Sequence, residues 1–172
     1  MKFTKIKSYA KINLALNITG KNSYIHKIES IVAFVSLHDD ILLKEIKSKK
    51  HNISFSGIFS KKINNNNTVS KLLELLENKA LLKDKKFQIK INKRVPIKAG
   101  LGGGSMNAAN ILKYFIKKKI IKISKREIIE ICNLIGSDVI LGLNSSNLIL
   151  TSKKKIKCYP NCKKFYTFIV KP

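Results

Sequence analysis

Val95-Pro-Ile-Lys-Ala-Gly-Leu-Gly-Gly-Gly-Ser-Met-Asn-Ala-Ala-Asn110 is the stretch on which the fold turns. It reads as the end of a strand, a glycine-rich loop and the start of an amphipathic helix. Gly100, Gly102, Gly103 and Gly104 are half of the chain's eight glycines. The expectation is that they adopt positive φ and let the backbone come close to a ligand, which a residue bearing a Cβ does at greater cost. The helix that follows would turn its unpaired N–H groups and positive dipole end toward the same space, a setting suited to phosphate. The loop has no Lys-Ser or Lys-Thr closure of a Walker loop, and Asn107 stands where the third Rossmann glycine would be. For an isolated glycine cluster a plain strand-to-helix turn is the alternative.

Outward from the loop the periodicities alternate between strand and helix. Upstream, Phe87, Ile89 and Ile91 alternate with Gln88, Lys90 and Asn92, giving the strand that feeds the loop. Before it, Val69, Leu72, Leu73, Leu76 and Ala80 predict an amphipathic helix from Thr68 to about Leu82, capped by Asn67 or Thr68. Lys61 to Asn67, with its asparagine run, is a loop separating a strand-rich half from a mixed half. Strands are predicted at Ala10–Thr19, Ile28–Leu37, Ile41–Ile46 and His51–Phe59, with a turn at Gly20–Ser23 and Asp39-Asp40 as a break. In the first strand Ala10, Ile12, Leu14, Leu16 and Ile18 share the apolar face, and Lys11 and Asn13 stand side by side on the polar one. Downstream, Ala108, Leu112, Phe115 and Ile116 line one side of a helix that carries Lys113 and Lys117 on the other. Ser124-Lys-Arg-Glu127 is a capping box opening a further helix, which Gly136 stops. Asn147–Ser152, Lys155–Tyr159 and Phe165–Val170 read as three short strands.

The 172 residues suit one domain, and 44% hydrophobic content supplies a core. A formal charge of +25 points to polyanionic partners, either nucleic acid or phosphate-rich ligands. Against nucleic acid, Arg94 and Arg126 are the only arginines, whereas base and phosphate readers favour the bidentate guanidinium. Lysines are spread along the chain beside abundant Ile and Asn, as in a compositional bias. Cys132, Cys158 and Cys162 are an odd number without a second ligand pair for zinc, so reduced thiols are expected. No metal ligands are assigned. No apolar leader core and no run of 18 apolar residues occur, so a soluble, cytoplasmic protein is expected, off the membrane.

Three separated elements are candidates for one site: Lys11, the loop from Pro96 to Met106, and Asp138 in its apolar setting of Ile135, Val139, Ile140 and Leu141. A carboxylate there needs a partner or a task; an Asp that caps a helix or turns a loop is the structural alternative. Phosphoryl transfer uses such parts, with loop donors for the phosphates, Ser105 toward phosphate or Mg²⁺, a carboxylate for the acceptor's proton and a cation for charge.

The order Pro-x-x-x-Gly-Leu-Gly-Gly-Gly-Ser-x-Asn-Ala-Ala resembles the phosphate loop of the GHMP kinases. With Ala10-Lys-Ile-Asn-Leu14 before it and Gly136-Ser-Asp-Val139 after it, the resemblance covers nearly all 172 residues. It implies the α+β N-terminal half of those kinases, a mixed sheet with packed helices, shared in outline with a ribosomal protein domain. Residues 1–172 would then be an ATP-binding domain whose C-terminal companion domain is absent. It implies an ATP- and Mg²⁺-dependent kinase acting on a small alcohol, a cytidine-diphosphate-linked methylerythritol of the non-mevalonate isoprenoid route. Lys11 and Asp138 would be the catalytic pair. Pro96, Ile97, Lys98, Ala99, Gly100, Leu101, Gly102, Gly103, Gly104, Ser105 and Met106 would take ATP, and Asn13, Tyr24 and His26 would contact substrate. The chain departs from the family pattern at Lys98 and Ala99, which replace glycines, at Met106 for a second Ser, at Ile140 for a proline, and at Tyr24, displaced by one residue. The shared fold keeps a rival open: a basic RNA-binding domain without catalysis. An RNA binder has no reason to gather Lys11, the loop and Asp138.

Overall fold

The computed structural model describes residues 2–21, 26–144, 146–151, 155–160 and 166–170. Two long strands, β1 (Thr4–Lys21) and β2 (His26–Ile46), pair antiparallel from Thr4↔Leu43 to Lys21↔His26. β1 runs along one whole edge of β2, and the other edge is divided. Asp40 to Ile46 pair with β4 (Lys86–Asn92), while Ser30 to Val32 pair with β5 (Asn147–Leu150). β3 (Asn52–Ser56) lies parallel to β4, and β6 (Ile156–Tyr159) antiparallel to β5, so the sheet is mixed. A β3-to-β4 crossover demands an intervening helix, and α1 (Thr68–Asn78) supplies it. It is followed by α2 (Gly103–Lys117), α3 (Lys125–Ile135) and the short α4 (Val139–Gly142).

The helices cover one face of the sheet. Ile41, Leu43, Phe87, Ile89 and Ile91 meet Leu72 and Leu76 of α1, Ile111, Leu112 and Phe115 of α2, and Ile131 of α3, all essentially dry. Phe87 and Phe115 stack tilted at 4.7 Å, a geometry worth about 1 kcal/mol beyond its area. Capping boxes at Asn67 and at Ser124–Glu127 fix the starts of α1 and α3.

Several sequence expectations are corrected. Asp39-Asp40 does not break the chain; β2 runs through it, because both carboxylates find partners. Lys93, Asn107 and two backbone N–H groups meet Asp39, and Lys5 and Arg94 meet Asp40. The apolar face of β1 is not buried throughout. Ala10 is dry, but Leu14, Leu16 and Ile18 are 63%, 51% and 64% exposed. Register shifts at Tyr9/Lys11, Asn13/Ala15 and Ile18/Gly20 break the strict two-residue alternation, and the helical layer does not reach the far half of the ribbon. α1 stops at Asn78, short of Leu82, and the chain leaves it through left-handed Ala80, Lys83 and Asp84. Gly20 and Lys21 belong to β1, and residues 22 and 23 of the expected turn lie outside the described residues. Residues 166–170 form no strand: Tyr166, Phe168 and Val170 are open to solvent, with no neighbouring strand to pair with among the described residues. Among the described residues no helix is long and apolar enough to cross a membrane.

Candidate active site

Lys11 enters the site from a bulge. Between Tyr9↔His38 and Lys11↔Phe34 the pairing moves two residues on β1 and four on β2. There the backbone N–H of Lys11 donates to Leu101 O at 3.0 Å. Bulges re-aim side chains in this way. Leu101 packs with Ala10 and Val95 in a small cluster that includes Ala99 at its margin, so the loop is pinned to β1 by both backbone and side chain. The Lys11 side chain is 8% exposed. Its Nζ donates to Asn13 Oδ1 at 2.6 Å and lies 3.3 Å from Asp138 Oδ2. A buried ammonium needs such oxygens to offset lost hydration.

The loop reaches this pair through Gly102. Its φ is +66°, and a Cβ built there would lie 2.9 Å from Lys11 Cγ, 3.2 Å from Lys11 Cε and 3.6 Å from Asp138 Oδ2. Gly100 also has positive φ, at +71°, but its Cβ would meet open space. Gly103 and Gly104 do not have positive φ, contrary to expectation, because they already belong to α2. They are small for packing: a Cβ on Gly103 would strike Val95 Cγ1 at 2.9 Å, and one on Gly104 would come 3.1 Å from Thr68 Oγ1. Lys98, where the kinase pattern has glycine, stands at φ +56°, which costs an ordinary residue about 1 kcal/mol. α2 starts from Gly102 without a side-chain cap. Its first-turn N–H groups and its dipole are thus left for a ligand, and anionic oxygen is the chemistry that fits. Ser105 is in that first turn, and Met106 is buried beneath it.

Asp138 follows the α3 stop at Gly136 and stands at the N-cap of α4, yet its side chain makes no capping bond there. It faces Lys11 instead and is 34% exposed, so it is both held and open to a reactant. α4 is seated closely enough on α2 that a Cβ on Gly142 would be 2.7 Å from Ala109 Cβ. Lys11, the loop and Asp138 therefore converge. Asn13 joins them; Tyr24 lies outside the described residues, and of His26 only its backbone place at the start of β2 is described.

Four supporting residues escape sequence reasoning. Asp39, fully buried, accepts from Arg94 N at 2.8 Å, Val95 N at 2.9 Å and Asn107 Nδ2 at 2.9 Å, and pairs with buried Lys93. It ties the loop's entry to α2. Thr68 Oγ1 donates to Gly104 O at 2.7 Å, tying α1 to the same helix start. The signal was a polar pair set between the apolar runs Val35–Leu37 and Ile41–Leu43, which reads equally as a break. Among the described residues no three His, Cys, Asp or Glu side chains cluster as metal ligands. Cavities of about 450 and 610 Å³ lie elsewhere, around His51 and around Tyr9 and Phe34.

Residues 67–150 match the model of the GHMP kinases N terminal domain. The chain is 56% identical over 168 residues to 4-diphosphocytidyl-2-C-methyl-D-erythritol kinase of Pelagibacter ubique, spanning 98% of this chain and 60% of that protein. It is 34% identical to the kinase of the same name from Ehrlichia ruminantium, across 97% of this chain and 58% of the relative. The chain thus spans about three fifths of the length of these relatives. Its fold is that of a solved 4-(cytidine 5'-diphospho)-2C-methyl-D-erythritol kinase, with TM-score 0.72 and 23% identity over 91% of this chain and 55% of the other. Mevalonate pyrophosphate decarboxylase from Streptococcus pyogenes shares it at TM-score 0.63 and 12% identity, over 90% and 49% of the two chains.

Proposed function

We propose that the chain, whose residues 67–150 match the GHMP kinases N terminal domain, is the ATP-binding part of a 4-diphosphocytidyl-2-C-methyl-D-erythritol kinase. On this reading residues 1–172 form one wall of a cleft whose other wall belongs to a second domain, and the reaction takes place in the cytoplasm. The observation that carries the proposal is the 3.3 Å approach of Lys11 Nζ to Asp138 Oδ2 beside Gly102. A glycine-rich turn with a purely structural purpose needs no such pair, and neither does an RNA-binding surface.

The roles follow from position. The open N–H groups of α2 and the backbone from Pro96 to Met106 hold the phosphates of ATP. The acceptor hydroxyl lies against Asp138 with Asn13 beside it, and Tyr24 and His26 are assigned to the substrate by the family resemblance alone. The hydroxyl oxygen bonds to the γ-phosphorus as the bond to the β,γ-bridging oxygen breaks, ADP leaves, and the hydroxyl proton passes to Asp138. Lys11 keeps the carboxylate aligned and balances charge that grows in the transition state. Mg²⁺ keeps several waters and takes few protein oxygens alongside phosphates; the Ser105 hydroxyl in the first turn of α2 would be this chain's share, and the ion would supply charge neutralisation.

Phosphate transfer from ATP to the diphosphocytidyl-methylerythritol acceptor, measured in a complete enzyme carrying this domain, tests the assignment. Asp138→Asn lowers kcat by about two to four orders of magnitude, the usual worth of a placed acid or base, and leaves ATP affinity nearly unchanged. Lys11→Met follows the same pattern, because a group acting on the transition state shows in kcat before KM. Full activity in Asp138→Asn removes the assigned base and with it this reading.

A further inference from the structure

We propose that Ser30, which nothing above assigns to the reaction, is a positioning residue that sets the orientation of Lys11 through Asn13; its effect on turnover rests on the kinase reading. Ser30 is 4% exposed and fixed in β2, between Leu16 of β1 and Leu150 of β5. A hydroxyl has one proton to give, and Ser30 Oγ gives it to Ala15 O at 2.7 Å. That carbonyl adjoins the register shift between Asn13 and Ala15. With its proton committed, Oγ accepts, and Asn13 Nδ2 donates to it at 2.6 Å.

This settles which way the Asn13 amide faces. Its NH₂ is held by Ser30, so its carbonyl oxygen is presented to Lys11, whose Nζ donates at 2.6 Å. A flipped amide would set NH₂ against an ammonium, two donors with no acceptor between them. The relay runs Ala15 O, Ser30, Asn13, Lys11, Asp138, and each link dictates the donor sense of the next. Asn13 itself is exposed and would otherwise have water on all sides to turn toward. A buried serine whose proton is already spent is what holds it in one state.

The test compares Ser30→Ala, Ser30→Thr and the isosteric Ser30→Cys. In the 172-residue chain with ¹⁵N-labelled lysine, the Lys11 ammonium is read directly by NMR, since its N–H groups exchange slowly only while held by acceptors. We expect the Lys11 signal to shift or broaden in the Ala and Cys variants and to return in Thr, which keeps a hydroxyl, with the backbone amide spectrum unchanged in all three. In the complete enzyme kcat falls about tenfold in Ser30→Ala, the scale of one lost hydrogen bond to a charged network, with KM for ATP unchanged and recovery in Ser30→Thr. An undisturbed Lys11 signal in Ala and Cys overturns the proposal, as does a loss that Thr fails to rescue. Should the Ala variant not fold, Cys preserves the volume and decides alone. The NMR arm does not depend on turnover, so an inactive wild-type enzyme would count against the kinase reading and leave the Ser30 relay to be judged by the ammonium signal.

Discussion

At the scale of single residues, two left-handed glycines a residue apart serve different ends. Gly100 and Gly102 have nearly the same φ, +71° and +66°, so alanine strains the backbone of each by about 1 kcal/mol. They differ in what the new methyl meets. At Gly100 it meets nothing within 4 Å, whereas at Gly102 it meets the Lys11 side chain at 2.9 Å. Gly100→Ala is expected to cost only that strain in a urea titration, with nucleotide affinity kept. Gly102→Ala costs more and also displaces Lys11, so turnover falls steeply. Equal activity losses in the two variants would show that the loop's conformation alone, and not its contact with Lys11, is what matters.

At the scale of elements, the seam between α1 and β4 contains the one imidazole whose environment moves it clearly among the described residues. His51 Nδ1 accepts from Phe87 N at 3.0 Å, and its ring stacks on Phe87 at 5.9 Å. Burial holds its pKa below the ordinary 6.5; Glu77 of α1, 3.1 Å away, pulls upward, and Lys86 of β4 pushes down. With the folded value depressed, the unfolded chain binds the proton more readily. The stabilisation is therefore complete above about pH 6.5 and is lost as pH falls through the folded value. Urea midpoints should thus be flat from pH 8 to 6.5 and decline toward pH 5, and His51→Asn, whose Oδ1 keeps an acceptor for Phe87, should flatten that decline. Glu77 is depressed as well, by its bond to Lys86, but its loss belongs below pH 4.5 and is separable. This seam also shows what the sequence could tell. The periodicity of α1 and β4 was readable from apolar spacing, because both bury one face on the same core. The half-exposed β1 was misread, since bulges reset the alternation, and bulges are set by partners distant in sequence. The same holds within the site: Lys11, Asp138 and the loop were legible as residue types, while Asp39 and Ser30 act only through groups brought to them by the fold.

At the scale of the whole molecule, a formal charge of +25 on 172 residues bears on the choice between the proposed kinase and an RNA-binding domain. If the lysines are a compositional excess, RNA will bind weakly near physiological salt, without sequence preference, and log affinity will fall linearly with log salt. Sequence-specific binding at nanomolar RNA in moderate salt would instead make the RNA-binding reading the stronger one. The divided edge of β2 governs a different property, the order in which the molecule assembles. β1 and β2 are neighbours along the chain and can zip together as a hairpin within microseconds, and β4 joins the same strand after one crossover. β5 is the latecomer, for Leu150 must find Ser30 across more than half of the polypeptide, and such closure entropy is spent before any contact rewards it. Asp138 rides on the segment just ahead of β5. The Lys11–Asp138 pair is thus completed after the core exists, and it is the first part to open: amides of β5 and β6 should exchange with deuterium well before those of β4, so that Lys11 loses its carboxylate in excursions that leave the rest of the sheet intact.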